Sequence, residues 1–192
     1  DHIFKACMMP VLYPATVQEY LDLGLHGFAM SRFAGVWVGV KTVTEVVEAS
    51  ASVIVDPERV EIVLPTDFAM PAEGLNIRWP DTPLQQEARL LDYKLYAALA
   101  YCRANKLNHT VVDSPNARFG IVASGKAYLD TRQALADLGL DEDTCARIGI
   151  RLFKCGMVWP LEAQTIRGFA EGLEEILVVE EKRQLIEYQF KE

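Results

Sequence analysis

Phe119-Gly120-Ile121-Val122-Ala123-Ser124-Gly125-Lys126-Ala127 is the stretch whose reading decides the fold. Phe119 to Ala123 read as a strand. Ser124-Gly125 makes a turn, and Lys126 to Leu138 keep helical spacing until Gly139 stops them. Downstream the same alternation continues. Asp141 caps a short helix to about Arg147, and a strand follows at Ile150–Phe153. A helix from Leu161 to Leu173, a strand at Ile176–Val179 and a last helix from about Arg183 complete it. Strands alternating with helices build a parallel three-layer α/β unit with right-handed crossovers. The strands at 119–123, 150–153 and 176–179 are therefore expected to be neighbours.

Upstream the punctuation is less regular. Thr16-x-x-Glu19 is a capping box, and Val17, Tyr20, Leu21, Gly24, Leu25 and Phe28 follow at helical spacing, which predicts a helix over about 16–32. Val36-Trp37-Val38-Gly39-Val40 reads as a buried parallel strand. Val53–Val55 and Val60–Leu64 read as two short strands, followed by a proline-rich extended connector. Thr82-Pro83-Leu84-Gln85 is a second capping box with proline at the first helical position. It opens a long helix over about 83–106, with Leu84, Ala88, Leu91, Leu95, Ala98 and Cys102 as one stripe and Arg89, Lys94 and Arg103 on the solvated face. The organisation expected is 1–56, 57–112 and 113–192: a first α/β piece, a connector with its helix, and a second α/β unit.

At 192 residues and 51% apolar, the chain can bury a sizeable core. A formal charge of -8 argues against a nucleic-acid face, which needs clustered Lys and Arg. No apolar run is long enough for a membrane span, and the start lacks signal-peptide character, so the reading is cytoplasmic. The non-Met start at Asp1 reads as a cut inside a longer chain. Cys7, Cys102, Cys145 and Cys155 have no metal or dithiol spacing, nor do His2, His26 and His109, so buried reduced thiols and no metal site are expected.

Gly120 to Ala127 meets seven of the eight positions of the phosphate-binding pattern G-x-x-x-x-G-K-[ST]. Ala127 offers no hydroxyl for magnesium, and Ile121–Ala123 are strand interior rather than an open loop. Ser124, Gly125 and Lys126 still form a strand-to-helix turn where free N–H groups and the helix dipole favour an anion or an acidic partner. The plainer reading is that Ser124 caps the helix and Lys126 is a surface charge. Lys41 and Thr42 follow one strand end, and Glu180 and Glu181 follow another. Ligands gather at such ends, so these are further candidates, with solvated turns as the plain alternative. Trp159, in Gly156-Met157-Val158-Trp159-Pro160-Leu161-Glu162, either lines a pocket or, the plainer expectation, buries against the sheet edge. No residue is assigned a catalytic role.

Lys5–Pro14, Gln18–Leu21, Asn76–Pro80, Gly149–Lys154, Gly156–Glu162 and Glu175–Arg183 resemble the indolepyruvate:ferredoxin oxidoreductases. The resemblance covers essentially the whole chain and is most specific over 149–183. It is similar to the long fused form of proteobacteria. The resemblance implies thiamine diphosphate-dependent oxidative decarboxylation of an aryl 2-oxoacid to acyl-coenzyme A, with electrons passing through iron–sulfur clusters to ferredoxin. It also implies that 1–56 is the tail of the domain holding the thiamine pyrimidine ring and that 113–192 is a transketolase carboxyl-terminal-like domain.

The family's activating glutamate, its Gly-Asp-Gly…Asn motif for magnesium and diphosphate, and its cluster cysteines are all missing from these residues. The chain is therefore expected to be scaffold, partnered by the remaining domains of its parent and in a possible homodimer, with no cofactor of its own. Two alternatives stand beside that reading: a self-sufficient small-ligand or nucleotide-binding α/β module centred on Ser124–Lys126, or part of another transketolase-type thiamine enzyme.

Overall fold

The computed structural model describes residues 2–192. Helix α1 (His2–Ala6) leads to strand β1 (Val11–Leu12), helix α2 (Val17–Ala34), strand β2 (Gly39–Val40) and helix α3 (Thr44–Val47). After a long irregular stretch, α4 (Pro83–Arg89) continues through a π-helical turn, Leu90–Lys94, into α5 (Leu95–Ala104). Then come β3 (Asn108–Val112), β4 (Phe119–Ser124), α6 (Gly125–Asp137), α7 (Glu142–Ile148), β5 (Ile150–Cys155) and β6 (Met157–Trp159). Helix α8 (Ala163–Ala170), β7 (Glu175–Val179) and α9 (Ile186–Lys191) complete the chain. None of the described helices is long and apolar enough to cross a membrane.

The α/β unit forms as the alternation predicts. β4 is flanked by β5 and β7, and it is parallel to both, with Ile121 opposite Leu152 on one side and Leu177 on the other. The sheet order is β3-β5-β4-β7, with β3 added antiparallel at the β5 edge. β3 escapes a reading by pattern because Asn108-His109-Thr110 is polar and its register shifts between Thr110 and Val112. Asp141 caps α7 by accepting from Thr144 N–H, as expected.

Upstream, the expectations need correcting. Only Gly39–Val40 of the Val36–Val40 run is strand, and Trp37 is 82% exposed rather than buried. Neither Val53–Val55 nor Val60–Leu64 is a strand. Both are irregular and largely exposed, because β-branched residues favour extended backbone without supplying a neighbour to pair with. Glu19 does not close a capping box on Thr16; its Oε2 accepts from Ala15 N–H at 2.9 Å, one residue earlier. The stripe over the long helix is broken by the π turn, whose extra residue rotates the two halves against each other. Leu84 and Leu91 face outward, whereas Ala97, Ala98, Tyr101 and Cys102 are buried.

Arg89, Lys94 and Arg103 are not a solvated face either. Arg89 donates to the Gly74 carbonyl, Lys94 donates to the Gly35 carbonyl at 2.9 Å, and Arg103 joins Asp67 to Glu162. The cations instead fasten the irregular stretch to the helix.

A second, three-stranded sheet in the order β2-β1-β6 lies between two cores. β1 is parallel to β2 and antiparallel to β6. Side chains alternate along β1, so Leu12 packs with α2, α5 and Met157, while Val11 and Tyr13 pack with Val122, Phe153 and Trp159. Trp159 buries as expected. Residues from the first and last parts of the sequence thus share one sheet.

In the first core, His26 Nδ1 lies 3.0 Å from the hydroxyl of fully buried Tyr101. Burial pushes the His26 imidazole below its ordinary pKa, with Asp22 opposing. The folded chain therefore favours neutral His26. That contribution is complete above the ordinary value of about 6.5 and is lost as pH falls toward the depressed folded value. The midpoint of urea unfolding is expected to fall between pH 6.5 and 5, and a His26→Gln variant should lose most of that slope. The held-down carboxylates of Asp113 and Glu162 act only at lower pH.

Candidate functional site

The three groups of residues singled out from sequence come from different parts of the chain, and the fold brings them together around one side chain, Tyr13. Ser124–Lys126 stand at the carboxyl end of β4, Glu180 and Glu181 follow β7, and Lys41 and Thr42 follow β2. β2 belongs to the other sheet, so this convergence crosses the boundary between the sheets.

Tyr13 fills the centre. Its hydroxyl donates to Glu181 Oε2 at 3.1 Å, close to the Lys126 main chain in the first turn of α6. Burial, followed by the Glu181 charge, pushes the phenol well above its ordinary range. Gly125 has φ +50, and a Cβ there would lie inside the Tyr13 ring. The ring can occupy that place only because residue 125 is glycine. Lys41 Nζ lies 4.1 Å above the same ring. Burial lowers the Lys41 pKa, while Glu181 and Glu180 oppose that shift.

The Tyr13 ring packs against Gly125 at the start of α6. Ser124 occupies the N-cap position, but its side chain makes no capping bond. Lys126 pairs with Asp130 at 2.7 Å, one helical turn on. The space left between Tyr13, Lys41, Ser124 and Glu181 is about 10 Å³, no more than a water molecule needs.

Glu180 is engaged too. Its carboxylate accepts from Leu185, Ile186 and Glu187 N–H groups at 2.7–3.2 Å and starts α9. A larger cleft of about 510 Å³ adjoins the cluster, lined by Phe4, Lys41, Thr42, Glu181, Lys182 and Arg183 among others.

Some ties were not legible from sequence. Lys154, buried on β5, pairs with Glu19 at the start of α2 and lies 4.8 Å from the Tyr128 ring centre. Glu162, also buried, caps α8 through Gln164 and Thr165 N–H and receives Arg103 at 2.6 Å. Burial raises the Glu162 pKa, but the hydrogen bonds from Thr165, Gln164 and Arg103 outweigh it and hold the carboxyl below its usual range. The available signal was positional: Tyr13, Lys154 and Glu162 all lie in the runs that carry the family resemblance.

Cys102, Cys145 and Cys155 are buried thiols as expected, but Cys7 is exposed. Among the described residues, no group of three or more His, Cys, Asp or Glu side chains is placed to hold a metal ion. The turn at Ser124-Gly125-Lys126 is filled by the Tyr13 ring.

Residues 108–192 match the indolepyruvate ferredoxin oxidoreductase middle domain. The resemblance read from the sequence holds. Nearly the whole chain is also similar to the indolepyruvate oxidoreductase subunit IorA of Methanothermobacter thermautotrophicus. The two are 28% identical over 192 residues, which is 97% of this chain and 28% of that subunit. The IorA subunit of Pyrococcus abyssi is 28% identical over 197 residues, covering 98% of this chain and 28% of its own length. The chain thus spans little more than a quarter of the curated relatives that it matches.

Among solved structures, the 2-oxoglutarate:ferredoxin oxidoreductase of Magnetococcus marinus superposes with a TM-score of 0.57 at 12% identity, over 95% of this chain and 37% of that one. At that identity the likeness is one of fold.

If Tyr13 and Gly125 fit each other as described, their substitutions are coupled. Gly125→Ala alone should cost several kcal/mol, from overpacking added to the strain of a positive φ. In a Tyr13→Ala background it should cost only about 1 kcal/mol, from backbone strain alone. Urea denaturation of the four proteins measures the difference, and equal costs in both backgrounds would contradict the packing.

Proposed function

We propose that this chain is the scaffold and interdomain part of an indolepyruvate:ferredoxin oxidoreductase. The parent would decarboxylate an aryl 2-oxoacid oxidatively, using thiamine diphosphate with magnesium, pass electrons through iron–sulfur clusters to ferredoxin, and deliver the acyl group to coenzyme A. The single observation that carries this reading is that alignment to IorA subunits covers 97–98% of this chain yet only 28% of theirs. The piece shared with them holds tight structural ties at turns that the sequence reads either as ligand candidates or as plain caps and surface charges.

Within that reading the chain's residues have positioning roles. Tyr13, Lys41 and Glu181 lock the ends of β2, β4 and β7 together. Lys154 with Glu19, and Arg103 with Glu162, fasten the helices to the sheets. The groups that would hold the thiamine ring, its diphosphate and the clusters belong to the rest of the parent, as does the surface for ferredoxin. A cytoplasmic location, a homodimeric parent and a transketolase carboxyl-terminal-like identity for 113–192, preceded by a pyrimidine-domain tail at 1–56, belong to the same proposal.

The nucleotide-binding alternative loses its main support, since the turn at Ser124-Gly125-Lys126 is closed by an aromatic ring rather than open to a phosphate. The remaining alternative, another transketolase-type thiamine enzyme, is disfavoured by the match of residues 108–192.

Titration calorimetry of the purified chain with thiamine diphosphate and Mg²⁺ is expected to show no micromolar binding. Assays with indolepyruvate, coenzyme A and ferredoxin should show no turnover by the chain alone. A complete protein carrying this sequence should reduce ferredoxin with indolepyruvate. Micromolar binding or turnover by the 192-residue chain would overturn the scaffold reading.

A further inference from the structure

The four-stranded sheet has two outer edges of opposite character. At β3, exposed His109 and Thr110 and a register shift before Val112 disrupt the edge. Polar side chains and bulges of this kind keep strands from pairing further. At β7 neither device is present. Its sequence is Glu175-Ile176-Leu177-Val178-Val179, without proline or lysine, and five successive residues pair with β4 in unbroken register. Leu177 is 49% exposed, and no strand among the described residues lies on the far side of β7.

Beside this edge runs a groove of about 550 Å³ with Leu173, Ile176, Leu177, Val178 and Phe190 in its walls. The charges on its rim are unevenly answered. Glu174 is held by Arg118 at 2.7 Å and Glu187 by Lys191 at 2.5 Å. Glu175 is exposed, and its carboxylate has no hydrogen bond or ion pair among the described residues.

We propose that the free edge of β7 is a strand-accepting surface. Its occupant is an extended segment of another part of the assembly, β-branched and apolar along its length, with a basic residue at the end beside Glu174 and Glu175. Main-chain hydrogen bonds supply the affinity in such strand addition, and alternate side chains supply the specificity. The groove offers the apolar contacts and Glu175 the charge. A second copy of this chain fits poorly. Antiparallel pairing of two β7 strands about Leu177 would set Glu174 of each opposite Glu180 of the other, and like charges facing across strands are destabilising. The occupant's place in a larger assembly rests on the scaffold reading proposed above, whereas peptide binding at the edge is measured without turnover, so the two can fail separately.

The test is fluorescence anisotropy of the purified chain with a labelled peptide, Lys-Arg-Val-Thr-Val-Ile-Val-Thr. Saturable binding is expected. Glu175→Lys should weaken it about tenfold, which corresponds to about 1.4 kcal/mol. A peptide beginning Glu-Glu in place of Lys-Arg should recover the affinity on that variant. Val178→Pro should abolish binding, and because proline there also threatens β7 itself, the surface change at Glu175 carries the decision. Three results would each overturn the proposal: no saturable binding, equal binding by Glu175→Lys, or concentration-dependent dimerisation with cross-linking between Leu177→Cys positions, which would assign the edge to a second copy.

Discussion

The structure depends on the passage of the backbone through Gly156. The chain leaves the four-stranded sheet at Cys155 and enters the three-stranded one at Met157, with one residue between. At that residue both halves are hydrogen bonded: Gly156 N–H donates to the Leu107 carbonyl at 3.0 Å, and the Gly156 carbonyl accepts from Tyr13 N–H at 2.8 Å. A Cβ on Gly156 would run into the Leu107 carbonyl, so close approach of two backbones fixes the residue type. Asn108 reinforces the junction with a pair of hydrogen bonds to the Met157 main chain, at 2.8 and 3.0 Å. Because β6 then pairs with β1, what reads in sequence as a first and a last piece becomes one interlocked body.

Tyr13 follows from this geometry. Once β1 is drawn beside Gly156, its next side chain on the second-core side lies over the start of α6, where glycine leaves room for the ring. The start of α6 then packs on a phenol whose hydroxyl donates to Glu181, just beyond the end of β7. Strand ends that would collect a ligand in a self-sufficient α/β enzyme are here used to hold two sheets together.

How much was legible in the sequence divides along the same line. The α/β unit was readable because each element there agrees with its surroundings: Val122 and Leu152 lie in runs covered on both faces, and Asp141 caps its helix. The failures come where tertiary contacts override local pattern. Val53–Val55 and Val60–Leu64 have strand composition but no neighbouring strand, and the Gln18 and Asn105 side chains bond the Ile54 and Val63 main chain instead. The π turn at Leu90–Lys94 shifts a stripe that simple 3.6-residue spacing treats as continuous. Lys94 and Arg103 look like solvated charges until carbonyls and carboxylates from remote segments meet them. Lys41, Ser124, Gly125, Lys126, Glu180 and Glu181, singled out separately in the sequence, lie together or adjoin. Their occupant was not legible, because nothing local to the 124–126 turn announces a tyrosine that arrives from position 13.

The central claim is that the two sheets form one cooperative unit joined at Gly156. Native-state hydrogen exchange tests it most directly, because amides that open only on global unfolding share one free energy. The account predicts that Tyr13 N–H and Gly156 N–H exchange with the same opening free energy, and the same dependence on denaturant, as Val122 N–H in the centre of β4. Exchange at Tyr13 faster than at Val122 by orders of magnitude would mean that the first sheet opens independently, and would contradict the account.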